Sequence, residues 1–480
     1  MPHTDRRTFL AGVAAGALAP ALPAASPQDP ASLPDRLPDL AALTALARST
    51  PRDEMVAKAI ELHRAGVSWR DLLGAAFLAG IRDVEPRPVG FQFHCVLMTA
   101  SAFQIAEALP AAERLIPALF NLADLKLSQE VDARAPDWTL PPAPAVDGDR
   151  ATAFADLRAA FEAFDLAAAD RAAVALSRCA GLDEAFEALW LYGARDFTNI
   201  GHNPIFVAQA HRTLQQVGWR CGEDVLRSLV YGLLDGKPGQ NDATFAPNRE
   251  RAGKLRPDWR HGKPSASASR DLLATMRTAD AGAAAEAVIA QIGSGLALES
   301  VFDGLRLFAV EQLWRDPGIL AVHALTSCNA LRHGLEHCRN DATQRLLLLQ
   351  AASWLVQYRD FLSGRPNYDK ARPGLDAMAA ADTEVTAAAV FAAAGDDPDK
   401  AAPLCLSAAR KVGLEPLGTE LRHWLVRKAD EHHEYKFAAA LLEEMALAEP
   451  DVAARMLAGS LAYLRTPAGD DAEVWQKLHG

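Results

Sequence analysis

The stretch VAKAIELHRAGVSWRDLLGAAFLAGI, residues 56–81, decides the fold class. Val56, Ala59 and Ile60 recur at three- and four-residue spacing, and Leu72, Leu73, Ala76 and Phe77 repeat the pattern beyond Gly66. That spacing paints one face of a helix, whereas a half-buried strand would alternate every second residue. DEAFEALWLYGARDF (183–197), GEDVLRSLVYGLL (222–234) and TQRLLLLQAASWLVQYRDFL (343–362) read the same way. Alanine and leucine, strong helix formers, abound, and no run of β-branched residues with period two stands out. The expectation is an all-α protein: an irregular multi-helix domain, as one unit or two helical subdomains, with long loops. Paired helices near AAAVFAAAGDDPDKAAPLCLSAARKVGL show no fixed period, so a repeat solenoid is not expected.

The 480 residues are half apolar, enough to bury a large core. Sixty-one acidic side chains against 49 basic ones give a formal net charge of -12, which disfavours nucleic acid as a partner. Six cysteines in a chain of this length, with no C-x-x-C among them, do not make a disulfide scaffold. Cys95 and Cys328 lie inside apolar segments and read as small buried hydrophobes.

At the N-terminus, DRRTFLAGVAAGALAPALPAAS places Arg6 and Arg7 before Thr8, Phe9, Leu10 and an apolar run of small residues. This pattern predicts a twin-arginine export signal over residues 1–25, with cleavage near Ala21 or Ala25 and a periplasmic or secreted product. An ordinary secretory signal is the alternative. The twin-arginine route exports folded proteins, often ones that receive a cofactor first. No later apolar run of about 18 residues predicts a membrane span.

Proline marks the breaks. Residues 26–40 form a Pro-rich leader, 41–135 an N-terminal helical part, and 136–150 a Pro-rich linker within ARAPDWTLPPAPAVDGDR. Residues 151–480 form a C-terminal helical part that completes one catalytic domain with the N-terminal part. Within it, residues 235–271 show no helical pattern and are expected to be a long loop, a candidate lid.

Histidine is the commonest side-chain metal ligand and the usual general base, so its placement carries the functional reading. His94 in VGFQFHCVLMTASAF is surrounded by apolar residues, and a buried imidazole needs a partner for each ring nitrogen. His202 in RDFTNIGHNPIFVAQAHRTLQQ stands at a helix start marked by Pro204. His211, nine residues on, lies about 13 Å further along that helix on the opposite face, so the two cannot share one metal. GILAVHALTSCNALRHGLEHCRN (318–340) holds His323, His333 and His337 and contains H-x-x-E-H, the inverted zinc-peptidase pattern. His323 is about 15 Å of helix from His333, so only one end can serve a given site. Arg332, Glu336, Arg339, Asn340 and Asp341 surround His333 and His337, which reads as a solvated helix end. His323 is therefore the expected ligand, with Thr326, Ser327 and Asn329 as supporting groups. RKADEHHEYKFAAALLEEM offers His432 and His433, with Lys436 one turn beyond.

Taken in order, FHCVLMTASA, GHNPIFVAQA, VHALTSCNAL and the run Glu431–His432–His433–Glu434–Tyr435–Lys436 resemble the questin oxidase-like family, all-helical proteins of fungal anthraquinone ring-opening pathways with bacterial relatives. The Thr-Ser after the third histidine is the most specific part. Gln209 and Ala210 stand where that family tends to have Gly-Tyr. The resemblance spans about 345 of the 480 residues. It selects His94, His202, His323 and His433, choosing His433 over His432, and implies Baeyer-Villiger-like oxidation of an aromatic or polycyclic ketone.

Four converging imidazoles suit a transition metal, with Fe first and Zn or Cu as alternatives, rather than Mg or Ca. Asp124, Glu130 or Asp196 could complete such a site, and a histidine or Lys436 could act as acid or base. No G-x-G-x-x-G follows a strand, so a Rossmann-bound flavin or nicotinamide is not expected. The rival readings are a zinc-dependent hydrolase or lyase on the same histidines, and a non-enzymatic helical protein that binds a metal or ligand.

Overall fold

A computed structural model describes residues 40–134, 137–146, 149–197, 199–236, 243–464 and 470–479. The segment expected to be an export signal, and nearly all of the expected Pro-rich leader, lie outside these residues. The fold is an all-α assembly of many helices, and the only β-type pairing among the described residues is one bridge between Lys263 and Leu296. No described helix is long and apolar enough to cross a membrane.

The helices that build the site are α1 (Trp69–Asp83), α2 (His94–Leu97), α3 (Thr99–Ala108), α4 (Ile116–Asp132), α5 (His202–Val217), α6 (Leu298–Arg315), α7 (Ile319–His337), α8 (Asp341–Ser363) and α9 (His432–Leu447). Local sequence sets several of their starts. Ser68 and Asp71 form a reciprocal capping box at α1, and Asn340 accepts from Thr343 N at the head of α8. Glu431 and Glu434 close a capping box at α9.

Helix α7 is buried along nearly its whole length and packs on α5, α6, α8 and α9. Helices α3 and α2 from the N-terminal part pack on both α5 and α9. One buried apolar core therefore runs from Leu40 to Val474 across both halves of the chain. The Pro-rich linker is laid along this body: Leu140 N donates to Arg82 O at 2.8 Å, and Trp138 N to the Asp132 carboxylate at 3.0 Å.

The segment 235–271 differs from the loop expected of it. It contains a helix, Phe245–Ala252, whose inward residues are Phe245, Asn248 and Ala252. Asn248 is wholly buried and bonds Gln350 Oε1 and Ser353 Oγ of α8 at 2.8 and 2.9 Å. Trp259 is buried too, and its Nε1 donates to Asp341 at 2.8 Å. Within the described residues 243–271, Asn248 and Trp259 anchor the segment to α8.

Candidate metal centre

His94, His202, His323 and His433 meet at one place. Each offers one ring nitrogen, these four atoms lie within 4.8 Å of one another, and all four residues are buried. They come from α2, α5, α7 and α9, so the site depends on the packing of both halves.

The backbone around His202 is shaped for that ring. Ile200 (φ 45°) and Gly201 (φ 74°) are successive left-handed residues, a costly turn for a β-branched side chain. Tyr358 of α8 pins it by donating its hydroxyl to Ile200 O at 2.7 Å. A Cβ on Gly201 would meet that hydroxyl at 2.5 Å and Ser327 Cβ at 2.7 Å. Of the Thr-Ser pair of α7, Ser327 thus packs against the Gly201 turn. The other two expected supporting groups bond elsewhere: Thr326 donates to Val322 O, and Asn329 lies between Arg212 and Glu444.

Gly90 (φ +104°) faces the His202 ring, and a Cβ there would approach three ring atoms at 2.5 Å. Gly66 has the same φ class (+105°) with nothing within 4 Å. Gly90→Ala should therefore destabilise the protein by about 2–3 kcal/mol and weaken metal binding, while Gly66→Ala should cost about 1 kcal/mol and leave metal binding intact. Urea melts with parallel metal titrations decide it; equal effects of the two variants would remove any role for Gly90 in seating His202.

Hydrogen bonding sets the direction of every ring. His94 Nδ1 donates to Phe91 O at 2.6 Å, His202 Nδ1 to Asn199 O at 2.7 Å, and His323 Nδ1 to Ile319 O at 2.6 Å. His433 Nδ1 donates to the Glu431 carboxylate. Burial, reinforced by the Lys436 ammonium, pushes the His202 imidazole down to about 3, and His94, His323 and His433 also lie well below the usual histidine range. At neutral pH all four rings are neutral, with the proton on Nδ1. Every Nε2 is then a bare lone pair.

Those lone pairs have no protein donor. His94 Nε2 and His433 Nε2 are buried with no hydrogen-bond partner. His323 Nε2 and His202 Nε2 face each other at 2.9 Å with no proton between them. Each unsatisfied buried acceptor costs about 1–3 kcal/mol. One cation with imidazole ligands at about 2 Å satisfies all four at once. The orientation matches metal-bound histidine generally, where the remote N–H is held by a carbonyl or a carboxylate. This group can hold a transition-metal ion.

Lys436 is buried, and its Nζ has no hydrogen-bond partner. Burial pushes its ammonium down to about 7, against the pull of Glu431 and Asp124. Of the three candidate carboxylates, Asp124 reaches the neighbourhood, through His432. His432 Nδ1 bonds Asp124 Oδ1 at 3.0 Å, its Nε2 lies 3.1 Å from Glu431 Oε1, and its ring stacks 4.0 Å from that of His94. Sequence reasoning passed over this linking role of His432. Glu130 pairs with Arg52 at the surface, and Asp196 is buried beside Arg195; neither belongs to a metal-capable group among the described residues.

The C-terminal end of α7 corrects the sequence reading. His333 is buried, not solvated, and Arg332 is 3% exposed because Glu443 and Glu444 of α9 pair with it. The geometric argument about helix length stands: His323 serves one cluster, while His333 and His337 serve another with His211.

A groove of about 820 Å3 has Phe120, Leu127 and Val474 as apolar wall and Asp124, Glu130 and Lys477 as polar groups. It shares Asp124 with the His432 hydrogen bond. Comparison of the chain with protein-family models, curated proteins and solved structures gives no match.

Proposed function

We propose that the protein is an exported metal-dependent oxidase or oxygenase, built on a transition-metal centre held by His94, His202, His323 and His433. The observation that carries the metal is the set of four Nε2 lone pairs turned on one point with no proton to share. The resemblance of the four histidine segments to questin oxidase-like proteins supports the reaction class, Baeyer-Villiger-like oxidation of an aromatic or polycyclic ketone. Iron is the metal this reading favours.

A bound redox metal supplies oxygen activation. In the net reaction one oxygen atom would enter beside the ring carbonyl and the other would leave as water, with two electrons and two protons supplied by a hydroquinone-type co-substrate or another small reductant. The chain contributes the rest. The groove lined by Phe120, Leu127 and Asp124 offers an aromatic molecule an apolar wall, and Asp124 links it through His432 to the ring of His94. Lys436, poised near neutrality in a dry site, can give and take a proton. The twin-arginine pattern at Arg6 and Arg7 supports export with the metal already in place.

Metal content of protein taken from its native export route tests the proposal, read together with oxygen uptake on an anthraquinone-type ketone. Stoichiometric iron or copper, lost in His433→Gln together with oxygen uptake, is the expected result. Zinc in the four-histidine site with no oxygen uptake would replace the oxidase with a hydrolase or lyase. A wild-type protein that holds no metal and takes none up would overturn both readings.

A further inference from the structure

The same two helices that carry His202 and His323 bring a second set of imidazoles together. Nine residues along α5 and ten along α7, His211 meets His333, so the two helices run side by side in the same direction. His337, one turn beyond His333 on α7, joins them, and one ring nitrogen of each lies within 4.8 Å of the others. His211 is wholly buried, His333 is 5% exposed and His337 is half-buried. Ten residues of α7 separate this cluster from His323 by about 15 Å, too far for one ion to serve both.

Partners again fix the rings. His211 Nε2 lies 3.2 Å from Asp183 Oδ1, so the carboxylate holds the proton there and leaves the Nδ1 lone pair facing His333 Nε2 at 3.1 Å. His337 Nδ1 donates to His333 O at 2.9 Å, which leaves its Nε2 as a lone pair. The His337 ring lies 4.0 Å from that of His333 and 4.9 Å from that of His211. Phe186 and Trp190 wall the group, with ring centres 5.1 and 5.2 Å from His211. Carboxylate, histidine and shared centre is the arrangement by which proteins orient a metal-bound imidazole. Two histidines one turn apart on a helix make the chelating pair.

The glutamate of this H-x-x-E-H run does not take part. Glu336 is exposed and paired with Arg332 in the turn before it. The motif supplies ligands without the general base that an inverted zinc-peptidase site requires.

We propose that His211, His333 and His337 bind a second divalent transition-metal ion, of the class zinc represents, with Asp183 as a positioning residue on His211. Three imidazole ligands leave a fourth position, and the half-buried His337 puts it on the solvent side of the cluster. This site stands independently of the oxidase reading.

The test uses the full chain, stripped of metal by a chelator and titrated with Zn2+ and separately with Co2+. Wild type should bind two equivalents, and His337→Gln and His94→Gln should each bind one. Asp183→Asn should keep two equivalents but weaken one of them about 10–100-fold. The Co2+ absorption bands of the second site should vanish in His337→Gln, while its helical circular dichroism and its metal-free urea midpoint stay those of metal-free wild type. Two equivalents retained in His337→Gln would overturn the site and leave a plain Asp183–His211–His333 hydrogen-bond chain. A wild-type stoichiometry of one, lost in His94→Gln, would overturn it equally. One equivalent lost in His337→Gln and retained in His94→Gln would support this site while removing the four-histidine one.

Discussion

Metal-free His323→Leu should be about as stable as metal-free wild type or slightly more stable, and the order should reverse by about 4 kcal/mol when metal is added at a thousand times its dissociation constant. The reversal follows from what His323 does in each state. Without a cation, its Nε2 is a buried lone pair 2.9 Å from that of His202. An apolar side chain of similar volume removes that repulsion and leaves the Ile319 carbonyl one turn below it. Replacing poorly compensated buried polar groups by well-packed apolar ones is commonly neutral or favourable. With a cation, the same Nε2 becomes one of four ligands, and the binding free energy enters the folding equilibrium directly.

Urea melts with and without Zn2+ or Fe2+ measure both arms. A His337→Gln background keeps the second cluster from contributing its own gain. If His323→Leu lost the same stability in both conditions, His323 would be an ordinary core histidine and the four-histidine centre would fall with it.

Much of this centre is visible in the sequence, and the parts that are not share a physical cause. The helices around residues 56–81 and 343–362 show because their buried faces are apolar, so periodicity reports burial directly. The helix Phe245–Ala252 does not show, because the residue at the middle of its buried face is Asn248, satisfied by Gln350 and Ser353 about a hundred positions later. The end of α7 misleads in the same manner. Arg332 and Glu336 look like solvent-facing charge until α9 brings Glu443 and Glu444 against the arginine. Local polarity cannot distinguish a charge that faces water from one that meets a distant partner.

The four clustered histidines fare better because their surroundings differ. His94 and His323 stand in apolar runs, and His202 begins a helix, features that local sequence does encode. Their convergence across 121 positions of chain between His202 and His323 is encoded nowhere locally. The choice of His433 rested on the family resemblance. In the structure Glu431 accepts a hydrogen bond from His433 Nδ1, which leaves Nε2 turned to the other three histidines.

Glu444→Gln should cost about 3–5 kcal/mol, because it removes one partner from a buried charge cluster. Glu444 is 1% exposed and accepts from Arg306 Nε at 2.7 Å, Arg332 Nε at 2.6 Å and Asn329 Nδ2 at 2.8 Å. The neutral amide would leave two buried guanidinium groups short of negative charge. The two guanidinium neighbours hold this carboxyl down to about 2, against the opposing effect of burial, where an unfolded glutamate titrates at 4.5. A depressed carboxylate contributes stability that is fully present above the unfolded value and is lost as pH falls through the folded one. The window therefore runs from about pH 4.5 down to about pH 2, and its full size is roughly 3 kcal/mol. Wild type should lose about 2 kcal/mol more than Glu444→Gln between pH 7 and pH 3, read from urea midpoints at both values. Equal acid sensitivity in the two proteins would mean that Glu444 is not the group titrating. The consequence reaches the metal, since Glu444 ties α9, which carries His433, to α7, which carries His323, and to α6. Loosening that tie at pH 7 should weaken binding at the four-histidine site even though Glu444 bonds none of its ligands.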